Sequence, residues 1–324
     1  MSPESNHNLD WQPNAPLINL RLRASVLARI RQFFADREVM EVETPALSQF
    51  TVTDRHIASL TVVTPNDGHY YLQTSPEYAM KRLLAAGSGC IYQICKAFRA
   101  NEEGQRHNPE FTMLEWYRIG FDHHRLMNEI DDFLQHVLKM PPTQRMSYAQ
   151  LFQHYLHLDI FYSPDEVLRN CIQQAGWMNA PVERLDRDTC LQLLMSHAIE
   201  PQLGFDAPLF VYDFPSSQAA LARLSHTQPC VAERFELYIQ GIEIANGFHE
   251  LTDADEQKQR FLRDQVKRRE HNQPIPNIDP RFLAALENGL PDCAGVALGV
   301  DRLIMLAAQA RHIDEIISFN WRRS

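Results

Sequence analysis

The feature that most restricts how this chain can fold is a pair of alternating runs between Tyr92 and Tyr117. The first reads Tyr-Gln-Ile-Cys-Lys-Ala-Phe-Arg and the second His-Asn-Pro-Glu-Phe-Thr-Met-Leu-Glu-Trp-Tyr, with a charged, glycine-bearing loop from Ala100 to Arg106 between them. Apolar and polar residues taking turns mark half-buried strands, so the stretch predicts a long antiparallel hairpin. Glu110, Thr112, Leu114 and Trp116 then share one face, and Phe111, Met113, Glu115 and Tyr117 the other. Arg99 stands where the first strand gives way to the loop. Acids and an arginine inside an apolar hairpin are costly unless something pairs with them. A guanidinium at a loop mouth can grip a phosphate or a carboxylate with parallel hydrogen bonds. For a lone arginine a structural ion pair is the commoner outcome.

At 324 residues the chain fits one large α/β or α+β unit and can bury a sizeable core. With 44% hydrophobic and 22% charged residues it has the composition of an ordinary soluble protein. Its apolar runs fall far short of the ~20 residues of a membrane span. Met1 to Asn8 is polar, without the apolar core of a secretory signal. The 6 cysteines form no C-x-x-C pair, which predicts reduced, structural thiols and a cytoplasmic protein. A net charge of -10 argues against a broad electrostatic grip on nucleic acid.

Met1 to Pro16, rich in Asn and Pro, reads as a loose lead-in. Leu20, Ala24, Leu27, Ile30 and Phe34 recur at helical spacing, predicting a helix over Leu17 to Ala35. Val39, Met40 and Val42 form a short strand that stops at Thr44-Pro45. Ile57 to Val63 and Tyr70 to Gln73 read as strands around the turn Pro65-Asn66-Asp67-Gly68. Ser75 is expected to cap a following helix, with Pro76 at its first position. Helices are predicted from His124 to Lys139 and from Tyr148 to Leu156. Pro164 to Leu203 reads as a helical insertion with Leu191, Leu194 and Met195 as its apolar stripe. Leu209 to Phe214 reads as a buried strand ended by Pro215.

Phe235 to Ile239 and Ile242 to Ile244 form a second hairpin turning at Gln240-Gly241. Tyr238 then faces Glu243, with Glu236 diagonal to it on the same face. Carboxylates that close repel one another unless a cation sits between them. A magnesium ion accompanying a nucleotide takes one or two carboxylates plus phosphate oxygens. Simple alternation puts Asn246, Phe248 and Glu250 on the face opposite Glu243. A bulge around Ala245 to Gly247 would unite the sets, and Gly247 permits one. Near the end, Gly-Val-Ala-Leu-Gly-Val-Asp-Arg from Gly295 to Arg302 precedes an apolar helix.

In order, these stretches resemble the three motifs of class II aminoacyl-tRNA synthetases, specifically the lysyl type. Motif 1 covers about 21–45, motif 2 about 92–117 and motif 3 about 295–308, within one catalytic domain over 17–324 that carries a helical insertion at about 140–207. The resemblance implies an α+β fold, an antiparallel sheet flanked by helices, and a homodimer built through motif 1. It implies ATP and Mg²⁺ as cofactors. Arg99, Ala100, Asn101, Glu102, Asn108, Glu243, Ile244, Gly299 and Arg302 would hold ATP, with Arg99 and Arg302 the catalytic pair on the α- and γ-phosphates. Glu236 and Glu243 would bind the metal. Ser75, Pro76, Glu77, Glu115, Tyr117, Asn246, Phe248, Glu250 and Ala297 would form the amino-acid pocket, Glu77 meeting an amino group and Phe248 forming an apolar wall. Gly299 would let adenine approach the backbone.

The chain departs from the lysyl pattern at three places. Asn101 replaces an acid two residues after the motif 2 arginine. Motif 1 begins near Leu17, which leaves no room for an anticodon-binding barrel ahead of it. Ala297 replaces a glycine, and its methyl takes volume where an α-amino acid's α-carbon would lie. That fits an amine placed differently, as in (R)-β-lysine. The resemblance is therefore to the truncated lysyl-synthetase paralogues that modify elongation factor P. It implies acyl-adenylate formation and transfer of the acyl group to a lysine ε-amine of that factor, without membrane or anticodon contact. Alternatives are a minimal lysyl-tRNA synthetase acting on tRNA, an enzyme making amino-acid amides, and a non-catalytic regulatory paralogue. The last should have lost an ATP-gripping residue, yet Arg99, Glu236, Glu243 and Arg302 are all present.

Overall fold

In a computed structural model, residues 11–65, 68–177 and 181–324 are described. Taken in order, the elements begin with helix α1 (Leu17–Ala35) and strands β1 (Met40–Glu41), β2 (Leu47–Ser48), β3 (Thr61–Val63) and β4 (His69–Leu72). Helix α2 (Glu77–Ala85) leads into β5 (Ile91–Phe98), β6 (Glu110–Ile119) and α3 (His123–Leu138). Next come β7 (Gln144–Ser147), α4 (Tyr148–Leu156), α5 (Asp165–Ala175), α6 (Arg187–Leu194) and β8 (Leu209–Pro215). The chain closes with β9 (Val231–Ile239), β10 (Ile242–His249), α7 (Ala254–Glu270), α8 (Pro280–Gly289), β11 (Cys293–Gly299) and α9 (Val300–Ala308).

The fold is α+β, built on an 8-stranded sheet in the order β1-β5-β6-β11-β10-β9-β8-β7. Its six central strands are antiparallel, as expected, whereas the outermost pairs β1/β5 and β7/β8 are parallel. One face carries Leu114, Trp116, Phe235, Leu237, Val296 and Leu298, which pack against α1, α3 and α9 in the main core. That cluster releases the apolar face of the β5–β6 hairpin from water, and the opposite face is left to carry polar groups. A second core joins α4, α5 and α6 to β8 and contains Leu191, Leu194 and Met195.

Several expectations need correction. The buried stripe of α1 is Val26, Ile30, Phe33 and Phe34, and Ala24 is exposed. Ser75 makes no capping hydrogen bond, and the helix starts at Glu77 with Pro76 as the residue before it. A proline there disfavours helical geometry at Ser75, so the cap shifts by one position. Asp122, not predicted, caps α3 by accepting from Arg125 N–H at 2.7 Å. The lead-in is pinned where it is described, since Asn14 N–H and Ala15 N–H donate to Ser318 and Ile317 carbonyls. The tip Asn66-Asp67 of one predicted turn lies outside the described residues.

The second hairpin turns at Gln240-Gly241, both with positive φ, and pairs Glu243 with Tyr238 as expected. Its register shifts between Glu243 and Ala245, making Ile244 the extra residue. The bulge therefore lies upstream of the predicted place. Gly247 is glycine for another reason: a Cβ there would stand 2.3 Å from the Phe235 ring. The consequence foreseen still follows, because Glu236 now faces Asn246 and shares a face with Tyr238.

Candidate active site

Strand register lines up one polar row across the open face of the sheet. Gln93 pairs with Glu115, Glu115 with Ala297, Ala297 with Asn246 and Asn246 with Glu236. A neighbouring row runs Tyr117, Gly295, Phe248 and Arg234. Gly295 has to be glycine, since a Cβ would meet the Tyr117 ring at 2.3 Å and Glu250 Oε1 at 2.5 Å. Apart from the end residues Gln93 and Glu236, these rows floor a cavity of about 620 Å³ lined also by Ser75, Glu77, Arg99 and Glu250. Of the residues expected to form the amino-acid pocket, Pro76 alone is absent from its lining.

The cavity's inner end is an acid cluster built around a buried cation that sequence reasoning missed. Lys81 Nζ lies 2.6 Å from Glu77 Oε1 and 2.6 Å from Glu250 Oε2, and is 1% exposed. Its spacing from Glu77, one helical turn, was the available signal. The two carboxylates raise the Lys81 pKa against its burial, so the ammonium stays charged. Glu115 accepts a 2.6 Å hydrogen bond from Tyr117 Oη, while its Oε2 is buried without a hydrogen-bond partner. Burial, then the nearby Glu77 charge, push Glu115 up to about 8. Burial pushes Glu250 up to about 7 despite the Lys81 ammonium beside it. Three acids face one resident ammonium, which leaves room for further positive charge.

These shifts give a signed pH dependence. The folded-state pKa of Glu115, about 8, exceeds the unfolded value of 4.5. Between the two values the folded state holds the extra proton, so stability without ligand falls as pH rises through that window. Binding of an ammonium group needs the carboxylate and strengthens over the same range. Affinity for a cationic amino acid should rise between pH 6 and 8, by up to about tenfold per unit. Calorimetric titration across that range checks this, and flat affinity with flat thermal stability would refute it. In Glu115→Gln the dependence should shrink to the part that Glu250, raised to about 7, contributes.

A second group lies further along the sheet, and Arg99 is shared between it and the cavity lining. Arg302 Nη1 donates to the Glu243 carbonyl at 2.7 Å, and Nη2 lies 2.6 Å from His107 Nε2. His107, from the motif 2 loop, has its pKa lowered by burial and by Arg302, so it stays neutral and can accept. Arg99 has Glu102 at 3.8 Å and Phe111 beneath it, and its Nε is buried without a hydrogen-bond partner. Both arginines thus keep donors free for an anion. Asp301 fixes this end of the sheet. It accepts from Thr112 N–H and from Arg23, each at 2.6 Å, tying α9, the motif 2 hairpin and α1 together.

Other expected residues stand as follows. Asn101 has φ 65°, a left-handed turn that asparagine tolerates better than an acid of longer chain. Ala100 N–H donates to the Ala58 carbonyl at 2.7 Å, which anchors the loop's entry. Asn108 is away from the cavity, donating to the Glu110 carbonyl at 2.6 Å and accepting from Trp321 N–H at 3.1 Å. Ile244 packs into the main core, so only its backbone faces the site. A Cβ on Gly299 would meet only the Arg302 side chain, at 3.6 Å and beyond.

Glu236 is bonded to Arg234, and its Oε2 accepts from Tyr238 Oη at 2.5 Å. The turn after α6 contributes a further acid, Glu200, 3.2 Å from Tyr238 Oη. Burial, then Glu236 and Glu243, push Glu200 up to about 7. Mutually repelling acids of this kind fit a divalent cation, which would relieve the repulsion. Glu200 is distant in sequence from the acid hairpin and carries no local signal.

An antiparallel sheet with one polar face, arginines at one end and an acid-lined pocket at the other matches a known class. Residues 5–323 match the tRNA synthetases class II (D, K and N), and the chain belongs to that family. Among its relatives are the elongation factor P–(R)-beta-lysine ligases of Klebsiella pneumoniae subsp. pneumoniae, Edwardsiella ictaluri and Salmonella gallinarum. Each is 52% identical over 319 residues, covering 97% of this chain and 98% of the relative.

Proposed function

We propose that this chain activates (R)-β-lysine with ATP and ligates it to a lysine ε-amine of elongation factor P; its relatives are named elongation factor P–(R)-beta-lysine ligases. The observation that carries the reading is the excess of buried carboxylate around Lys81, which suits a substrate bearing two ammonium groups. In the first step the substrate carboxylate attacks the ATP α-phosphorus and pyrophosphate leaves. Arg99 steadies the charge on the α-phosphate and Arg302 the departing phosphates. Glu236 and Glu243, with Glu200 beside them, would hold Mg²⁺, which supplies charge neutralisation between phosphates. In the second step the factor's amine attacks the acyl carbon and AMP leaves. No side-chain nucleophile is required, because positioning and electrostatics carry the rate.

Ala297 supports a β-amino acid, since it is half-buried between Glu115 and Asn246 on the cavity floor. A homodimer through motif 1 is in keeping with the exposed Leu17, Ile18 and Met40. No helix among the described residues is long and apolar enough to cross a membrane. We place the protein in the cytoplasm, acting without anticodon contact. The test is ATP–pyrophosphate exchange with (R)-β-lysine and α-lysine side by side, followed by mass spectrometry of elongation factor P. Preference for β-lysine and a mass gain on the factor are expected. Preference for α-lysine with transfer only to tRNA would overturn the reading.

A further inference from the structure

The opposite face of the sheet holds a cluster that the reaction does not use. His249, the last residue of β10, points away from the substrate pocket because its neighbours Phe248 and Glu250 point into it. Glu233 of β9 lies on the same side, and His123 opens α3 above them. One ligand atom from each of His123, Glu233 and His249 lies within 4.8 Å of the others. His123 is 5% exposed, and both its ring nitrogens are buried without a hydrogen-bond partner. Such orphaned donors and acceptors are rare in a folded protein and need a partner.

We propose that His123, Glu233 and His249 form a binding site for a transition-metal dication of the zinc type. Two imidazoles and a carboxylate are a donor set that such ions favour. The surroundings agree. His249 Nδ1 lies 2.5 Å from Glu233 Oε2, while Nε2 faces Asp292 Oδ1 at 3.0 Å. An ion entering between Nδ1 and Glu233 would leave Nε2–H donating to Asp292, the carboxylate support that orients a metal-bound histidine. Arg223 holds that carboxylate in turn, at 2.6 Å. His123 has its own acid, with Nε2 3.7 Å from Asp213 Oδ1. Ligand atoms about 2.0–2.2 Å from an ion stand roughly 3.4 Å apart, so modest ring rotations complete the site. The positive end of α3 opposes a cation here, but Glu233, Asp213 and Asp292 outweigh it.

The test uses the full chain without a histidine tag, stripped with chelator and titrated with Co²⁺ in the absence of nucleotide. Wild type should take up about one equivalent and develop d–d absorption, and Zn²⁺ should displace it. Thermal stability should rise with the metal in wild type and not in His123→Gln. Glu233→Gln, which keeps side-chain volume, provides the same readout should the histidine variant fail to fold. Glu243→Gln should retain the Co²⁺ signal. Uptake equal in wild type and His123→Gln/His249→Gln would overturn the proposal, as would a signal lost only in Glu243→Gln.

Discussion

Arg302→Ala should abolish ATP–pyrophosphate exchange, with a loss of about 10³-fold in kcat while amino-acid binding is retained. The guanidinium stands in the first turn of α9, where the Asp301 contacts to Arg23 and Thr112 fix the helix start. It is oriented by the Glu243 carbonyl and by neutral His107, which leaves donors for phosphate oxygens. A planar fork can follow charge as it spreads to the departing pyrophosphate, whereas lysine offers a point charge without that geometry. Arg302→Lys should therefore recover only part of the rate. Initial-rate exchange at saturating substrate decides it. Exchange within a few-fold of wild type in the alanine variant would remove Arg302 from the chemistry.

What could be read from sequence follows from how local each signal is. The two hairpins are written in strict alternation plus a glycine turn, so Arg99, Glu115, Tyr238 and Glu243 could be placed before the fold was known. Motif order gave the central antiparallel strands the same way. What stayed hidden depends on contacts across the chain. Lys81 looks like any helical lysine until Glu250, 169 positions later, closes on it. Glu200 joins the acids only because the turn after α6 folds back on β9. The bulge was foreseen but misplaced, since glycine marks both bulges and close packing, and Gly247 serves the second.

The pocket charge gives the other large effect. Glu250→Gln should raise the KM for the amino acid by roughly 10²-fold, corresponding to about 3 kcal/mol for removing one partner of a buried ion pair. It should also lower thermal stability, because Lys81 is left with Glu77 alone in a site 1% exposed. These two effects have different origins, and a double-mutant cycle with Lys81→Met separates them. Were Glu250 present only to neutralise Lys81, removing that lysine would make Glu250→Gln silent in both stability and KM. If Glu250 also grips the incoming ammonium, the KM effect persists in the Lys81→Met background while the stability cost disappears. Lys81→Met alone should then bind the cationic substrate more tightly and be less stable without it. Its three acids face each other with no resident cation, and the substrate becomes the counter-ion that completes the fold.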